Sequence, residues 1–131
     1  MKLRQSEVAA RALVCIENAA NLSYRAEYRT RANSFPTMVA QSGLAQAFGF
    51  LLAKKNSLDD LGRAYDVYTR DLVAVVRAGW PDLEAQDPDN FYCSVVQADL
   101  GQYRRLTRAT IDAALWLKRL AQAKLPSEFN G

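Results

Sequence analysis

The chain has no histidine among its 131 residues. The commonest general base, metal ligand and physiological pH switch is therefore missing. Cysteine is scarce as well: Cys15 and Cys93 are the only two, and no Cys-x-x-Cys or Cys/His cluster exists. That pattern holds no zinc site, and two reduced, partly buried thiols are a simpler reading than a structural disulfide. Proline occurs three times before residue 100, and no alternating apolar and polar run reaches strand length, so sheet has little support. The longest apolar run, Ala45 to Ala53, is broken by Gln46 and Gly49 and falls far short of a membrane span. The first residues, Met-Lys-Leu-Arg-Gln-Ser-Glu, hold no apolar signal core, so the expected location is cytoplasmic.

These absences also weigh against catalysis. Gly43 and Gly49 share a helix without the Gly-Lys-Ser/Thr ending of a phosphate loop. The acidic run Asp82, Glu84, Asp87 and Asp89 lacks both the spacing and the glycine of a calcium loop. A Ser or Cys nucleophile would need a base other than histidine, and no spacing singles one out. The chain reads as a binding protein, not an enzyme, with no metal and no cofactor.

What is present is helix. Hydrophobic residues make up 50% of the sequence and charged residues 24%, which places the chain with globular proteins. Its length fits one domain, residues 1–131, able to bury a core without staples. The periodicity predicts an all-α fold, a single compact bundle of five to six helices. A first helix runs from Lys2 to about Ala20, with Val8, Ala12, Cys15, Ile16 and Ala19 on one face. A second runs from near Ser23 toward Gln41; Pro36 predicts a kink or break in it, with Ser34 capping a fresh turn. Ser42-Gly43 separates it from a third, ending at Lys55, whose apolar stripe is Leu44, Ala47, Phe48 and Leu51. Gly49 within that helix marks a close helix approach.

Ser57-Leu58-Asp59-Asp60 is a near capping box. In the helix it opens, Leu61, Tyr65, Tyr68, Leu72, Val75 and Gly79 share a face, and Asp59–Arg63 and Asp66–Arg70 form outer pairs. Gly79-Trp80-Pro81 ends it. Asp87-Pro88 predicts an N-cap and first helical residue for a helix over about 89–100. Gly101 is expected to divide this from a last helix, Gln102 to about Lys124, before a frayed tail at 126–131.

The net charge of +3 conceals an asymmetry. Residues 1–58 carry eight Lys/Arg against three Asp/Glu, residues 59–99 three against nine, and residues 100–131 six against two. If the basic ends meet in space they form one face for a polyanion; if they pair with the middle they cancel. At about 100° per residue, Arg104, Arg108, Arg119 and Arg105 of the last helix fall within an arc of about 100°, opposite a core stripe of Leu106, Ala113, Leu117 and Leu120. Arginine suits bidentate phosphate contacts. Ile111, Leu115 and Trp116 leave the core stripe, so either helices cover both sides of this segment or a partner does. Arg25, Arg29 and Arg31 form a second basic group beside Tyr24 and Tyr28. Those tyrosines either stack on bases or sit half-buried with their hydroxyls at the rim.

Two segments together resemble one family. The first is Tyr28 to Lys55, with Ser34-Phe35-Pro36 and Ser42-Gly43-Leu44-Ala45-Gln46-Ala47-Phe48. The second is Tyr103 to Arg119, reading YRRLTRATIDAALWLKR. They are similar to the small subunit of the type III-B CRISPR effector, the Cmr complex, where a basic stretch, F/L-P and G-L-x-x-A-L-x-F precede Y-R-x-L-T and W-L-K-R. The chain departs from that pattern at Ala109-Thr110, where many members carry glutamate, and at Gly49, where alanine is usual. The related type III-A small subunit is a neighbouring alternative. The resemblance implies a non-catalytic role beside other Cmr subunits and copies of itself, with guide RNA and target RNA as partners and no membrane. By analogy, Arg25, Arg29, Arg31, Lys54, Lys55, Arg104, Arg105 and Arg108 would contact phosphates, and Ile111, Leu115 and Trp116 a neighbouring subunit. The competing class is a helical protein-interaction adaptor with no nucleic-acid role.

Overall fold

The structure, a computed structural model, describes residues 4–128; Lys2 and the end of the expected tail lie outside them. Six helices follow in order: α1 (Arg4–Ala19), α2 (Arg25–Ser42), α3 (Leu44–Lys54), α4 (Asp60–Gly79), α5 (Pro88–Gln97) and α6 (Leu100–Lys124). The last three each begin at an aspartate, because first-turn N–H groups have no partner within the helix and a short carboxylate supplies one. Asp59 accepts from Gly62 N at 2.9 Å, Asp87 from Asn90 N at 2.8 Å and Asp99 from Gln102 N at 2.8 Å.

These caps adjust three expectations. Asp59, not Ser57, caps α4, and the Ser57 hydroxyl donates to the same carboxylate at 2.8 Å. Arg63 accordingly pairs with Asp60, at 3.2 Å, while Arg70 pairs with Asp66 at 2.8 Å as the spacing predicts. The break before α6 falls at residues 98–99, where Asp99 is extended and caps, so Gly101 lies inside the first turn.

Pro36 does not break α2, which runs through it as one helix. A proline inside a helix costs about 3 kcal/mol. Tyr28, Ala32, Phe35 and Val39 bury one face of α2 across that position, and each large apolar side chain contributes about 1.5–3 kcal/mol, so tertiary packing wins. Ser34 is an internal residue whose hydroxyl donates to Thr30 O at 3.0 Å, not a cap. The chain turns at Gly43, with φ 84° and ψ 161°, a conformation that glycine alone adopts readily. Gly43 N closes α2 on Val39 O at 2.8 Å, and Gly43 O opens α3 by accepting from Ala47 N at 3.0 Å. Gly49 does mark a close approach: a Cβ there would lie 3.0 Å from the Tyr92 hydroxyl of α5.

α6 packs on α1, α2 and α4 together; α1 and α2 each lie against both α4 and α6 rather than against one another. α3 and α5 pack on each other and on α4. Small buried residues on α6 (Thr110, Ala113, Ala114 and Ala121, alternating with Leu106 and Leu117) let three helices approach it. The centre is aromatic, with Tyr28 and Phe35 both edge-on to Tyr68, at 5.7 and 5.9 Å between ring centroids. The Tyr28 hydroxyl donates to Asp71 Oδ2 at 2.7 Å, tying α2 to α4. Burial pushes the Asp71 carboxyl up to about 6 although the bond from Tyr28, the Cys15 thiol, Arg11 and Arg70 all favour its charge. The same burial, reinforced by Asp71, pushes Cys15 up to about 12. Both cysteines are free, Cys15 buried and Cys93 exposed rather than partly buried.

Two stability measurements follow from these contacts. Gly43→Ala should destabilise the fold by about 1–3 kcal/mol, read as a lower urea midpoint; an unchanged midpoint would contradict the assigned backbone. Asp71 binds its proton more tightly folded than unfolded, so its ionisation opposes folding as pH rises above the unfolded value and does so fully above about 6. The melting temperature should rise as pH falls from 7.5 to 5, as about 1.4 kcal/mol of stability is recovered. Asp71→Asn keeps an acceptor for Tyr28 and should flatten that profile; parallel profiles in the two proteins would contradict the assignment.

Candidate nucleic-acid interface

The eight cationic residues singled out in the sequence do not form one continuous face. Arg105 and Arg108 line a groove of about 620 Å³ between α1, α4 and α6. Arg104 is exposed one residue before, in a shallow depression on the outer side of α6 that also holds Arg108, Thr107 and Ile111. These three arginines therefore stand together, because the opposite face of α6 is fixed in the core.

Arg31 and Lys54 belong to a second patch. Arg31 lies 4.8 Å from the centroid of Tyr65, Tyr65 is edge-on to Phe50 at 5.9 Å, and Lys54 lies 5.4 Å from Phe50. The chain of contacts joins α2, α4 and α3. Tyr65 and Trp80 stand about 22 Å apart along α4, so the two patches occupy opposite ends of that helix. Arg25 hydrogen bonds Leu22 O at 3.1 Å in the turn after α1. Lys55 is half-buried, and Arg29 is half-buried with its Nε enclosed and without a hydrogen-bond partner.

Among the described residues the two ion pairs both lie within α4, so none of the eight cations is neutralised by a salt bridge. The acidic middle of the chain is used locally instead. Asp59, Asp87 and Asp99 cap helices, and Asp60 and Asp66 pair on α4. Tyr28 is unavailable for stacking because it is fully buried and bonded to Asp71. Leu115 is 42% exposed, whereas Ile111 and Trp116 are partly buried against the core. Helices therefore cover part of the second side of α6 and leave Leu115 uncovered.

The sequence reading missed three members of the groove. Trp80, read only as part of a helix stop, carries the Arg105 guanidinium 3.8 Å above its ring. Arg4 at the start of α1 and Arg119 near the end of α6 complete the rim. Arg119 already fell on the arginine arc, which was the available signal. Nothing local announces Arg4 or pairs Trp80 with Arg105. Tyr103 adds a link between the two motif blocks: its hydroxyl accepts from Ala45 N at 3.0 Å, so the residue opening the second block caps the helix that carries the first.

No helix among the described residues is long and apolar enough to cross a membrane. The family model for CRISPR-associated protein (Cas_Cmr5) matches residues 4–124. The Cmr subunit Cmr5 of a CRISPR system in Thermus thermophilus is 36% identical over 124 residues, which cover 94% of this chain and 96% of that protein. The X-ray crystal structure of a CRISPR-associated Cmr5 family protein from the same organism superposes with a TM-score of 0.81 at 32% identity, covering 96% of this chain and 100% of the other. With matched sequence, six-helix architecture and near-complete mutual coverage in agreement, the chain belongs to the Cmr5 family of CRISPR-associated proteins, the small subunits of the Cmr complex.

Proposed function

We propose that this Cmr5 family member is a non-catalytic, cytoplasmic subunit that stacks with copies of itself along the backbone of the Cmr ribonucleoprotein and holds guide or target RNA through phosphate contacts. The observation that carries the reading is the unpaired arginine face of α6. Arg104, Arg105 and Arg108 are all exposed, none has a carboxylate partner among the described residues, and the helix cannot rotate them away without exposing Leu106, Ala113 and Leu117. Guanidiniums kept on the outer face of α6 suit a backbone polyanion, and contacts of this kind carry no sequence preference. Arg31 and Lys54, held on Tyr65 and Phe50, offer a second anchoring point at the other end of α4. Leu115 and the adjoining Ile111 are the proposed contacts to a neighbouring subunit; Trp116, expected there too, faces the groove between α1, α4 and α6 instead.

Each copy offers few phosphate contacts, so affinity should come from several copies acting on one strand. Double charge reversal, Arg104→Glu with Arg108→Glu, should weaken RNA retention in the assembled complex across a salt series. Two lost single-strand contacts per copy should also lower the magnitude of the log–log salt slope by about 1.4 for each copy in the assembly. Retention and slope that match the wild type would remove these arginines from the interface.

A further inference from the structure

The groove between α1, α4 and α6 contains more than phosphate contacts require. Both tryptophans of the chain line it. Val76 and Gly79 of α4, Trp80 just beyond its end and Trp116 of α6 form an apolar floor. Trp80 is 8% exposed and its ring is occupied by Arg105 at 3.8 Å, while Trp116 is half-buried and keeps open surface toward the groove, with the Arg119 guanidinium 5.7 Å from its centroid. An apolar slot within a ring of arginines suits an occupant with a flat apolar part and an anionic part.

We infer that this groove takes one nucleotide of single-stranded RNA, its base inserted against Trp116 and its flanking phosphates on the arginine rim. The inference rests on the RNA reading above and deepens it. Four observations favour a nucleotide. The rim charge is complementary to an anion: Arg4, Arg105, Arg108 and Arg119 face a single acid, Asp112. Arg105 and Arg119 are both held against indoles, so little side-chain freedom is lost when they engage a phosphate. Asp112 is acceptor-only when ionised; it repels phosphates and peptide carboxylates but accepts from the N–H groups on a base edge. A groove of about 620 Å³ lies within the range of small-ligand sites.

The two tryptophans make the groove its own reporter. The full chain would be titrated with a short fluorophore-labelled single-stranded oligoribonucleotide, and with an abasic ribose-phosphate oligomer of equal length. Anisotropy would report binding and tryptophan emission would report the groove. Tryptophan quenching should saturate together with anisotropy for the RNA and be absent for the abasic oligomer, which should bind several-fold more weakly. Trp116→Ala should lower RNA affinity by about tenfold, the scale of one base–aromatic stack. Arg119→Glu, an exposed substitution that leaves the core untouched, should lower it without relying on the tryptophan variant folding. If anisotropy rises with no quenching, and RNA and abasic oligomer bind alike, the RNA reading stands and the base site falls. If neither oligomer binds, the base site falls, because one copy contains the whole groove; the RNA reading, in which several copies share one strand, is then decided by the charge-reversal measurement on the assembled complex. If an oligoglutamate peptide with one tyrosine quenches emission and RNA does not, the groove is a protein site and the inference is overturned.

Discussion

The rotation of α6 about its own axis is the constraint on which the rest depends. Thr110, Ala113, Ala114 and Ala121 are small enough for α1, α2 and α4 all to approach it, and Leu106 and Leu117 fill the space between. Turning the helix by even one residue, about 100°, would drive arginine into that space and expose leucine. A buried, unpaired arginine costs far more than any surface contact returns. The arginine face is thus set by core packing, and its orientation does not depend on a ligand being present.

The acidic residues are engaged in a way that leaves those arginines free. Charge along the chain is segregated, which allowed either a shared positive face or internal cancellation. The observed contacts favour local use of the acids: three aspartates close helix N-termini and two pair within α4. Asp71 is withdrawn into the core against Tyr28. Short carboxylates bond the nearest unsatisfied N–H groups, and these lie within three residues of each one. The two basic patches remain uncompensated at opposite ends of α4.

Much of this was legible in the sequence. Apolar stripes at helical spacing gave four of the helices and much of the core, cap and break residues bounded the other two, and the arc containing Arg104, Arg105, Arg108 and Arg119 gave the outer face of α6. Gly49 was legible as a close approach because a glycine inside an apolar helix has few other uses. What escaped depended on contacts distant in sequence. Tyr28 resembles a surface tyrosine beside arginines until its partner Asp71 is known. Pro36 resembles a helix break until the burial of Phe35 and Val39 on both sides of it is known. Trp80 acquires its place from Arg105, and Arg4 from the groove that α6 completes. At the α5–α6 boundary, Gly101 was the more conspicuous residue, but the Asp99 cap decided it.

Family membership and fold make the chain a Cmr complex subunit, and the two-faced α6 supports the proposal that it holds RNA without acting on it chemically. The most direct test is affinity purification of the tagged protein from its native host, with and without ribonuclease. Co-isolation of a guide-length RNA with several Cmr proteins, and partial loss of the assembly on nuclease treatment, is the predicted result. Recovery of a single protein partner with no RNA would contradict the account and reassign the arginine face to an acidic protein surface.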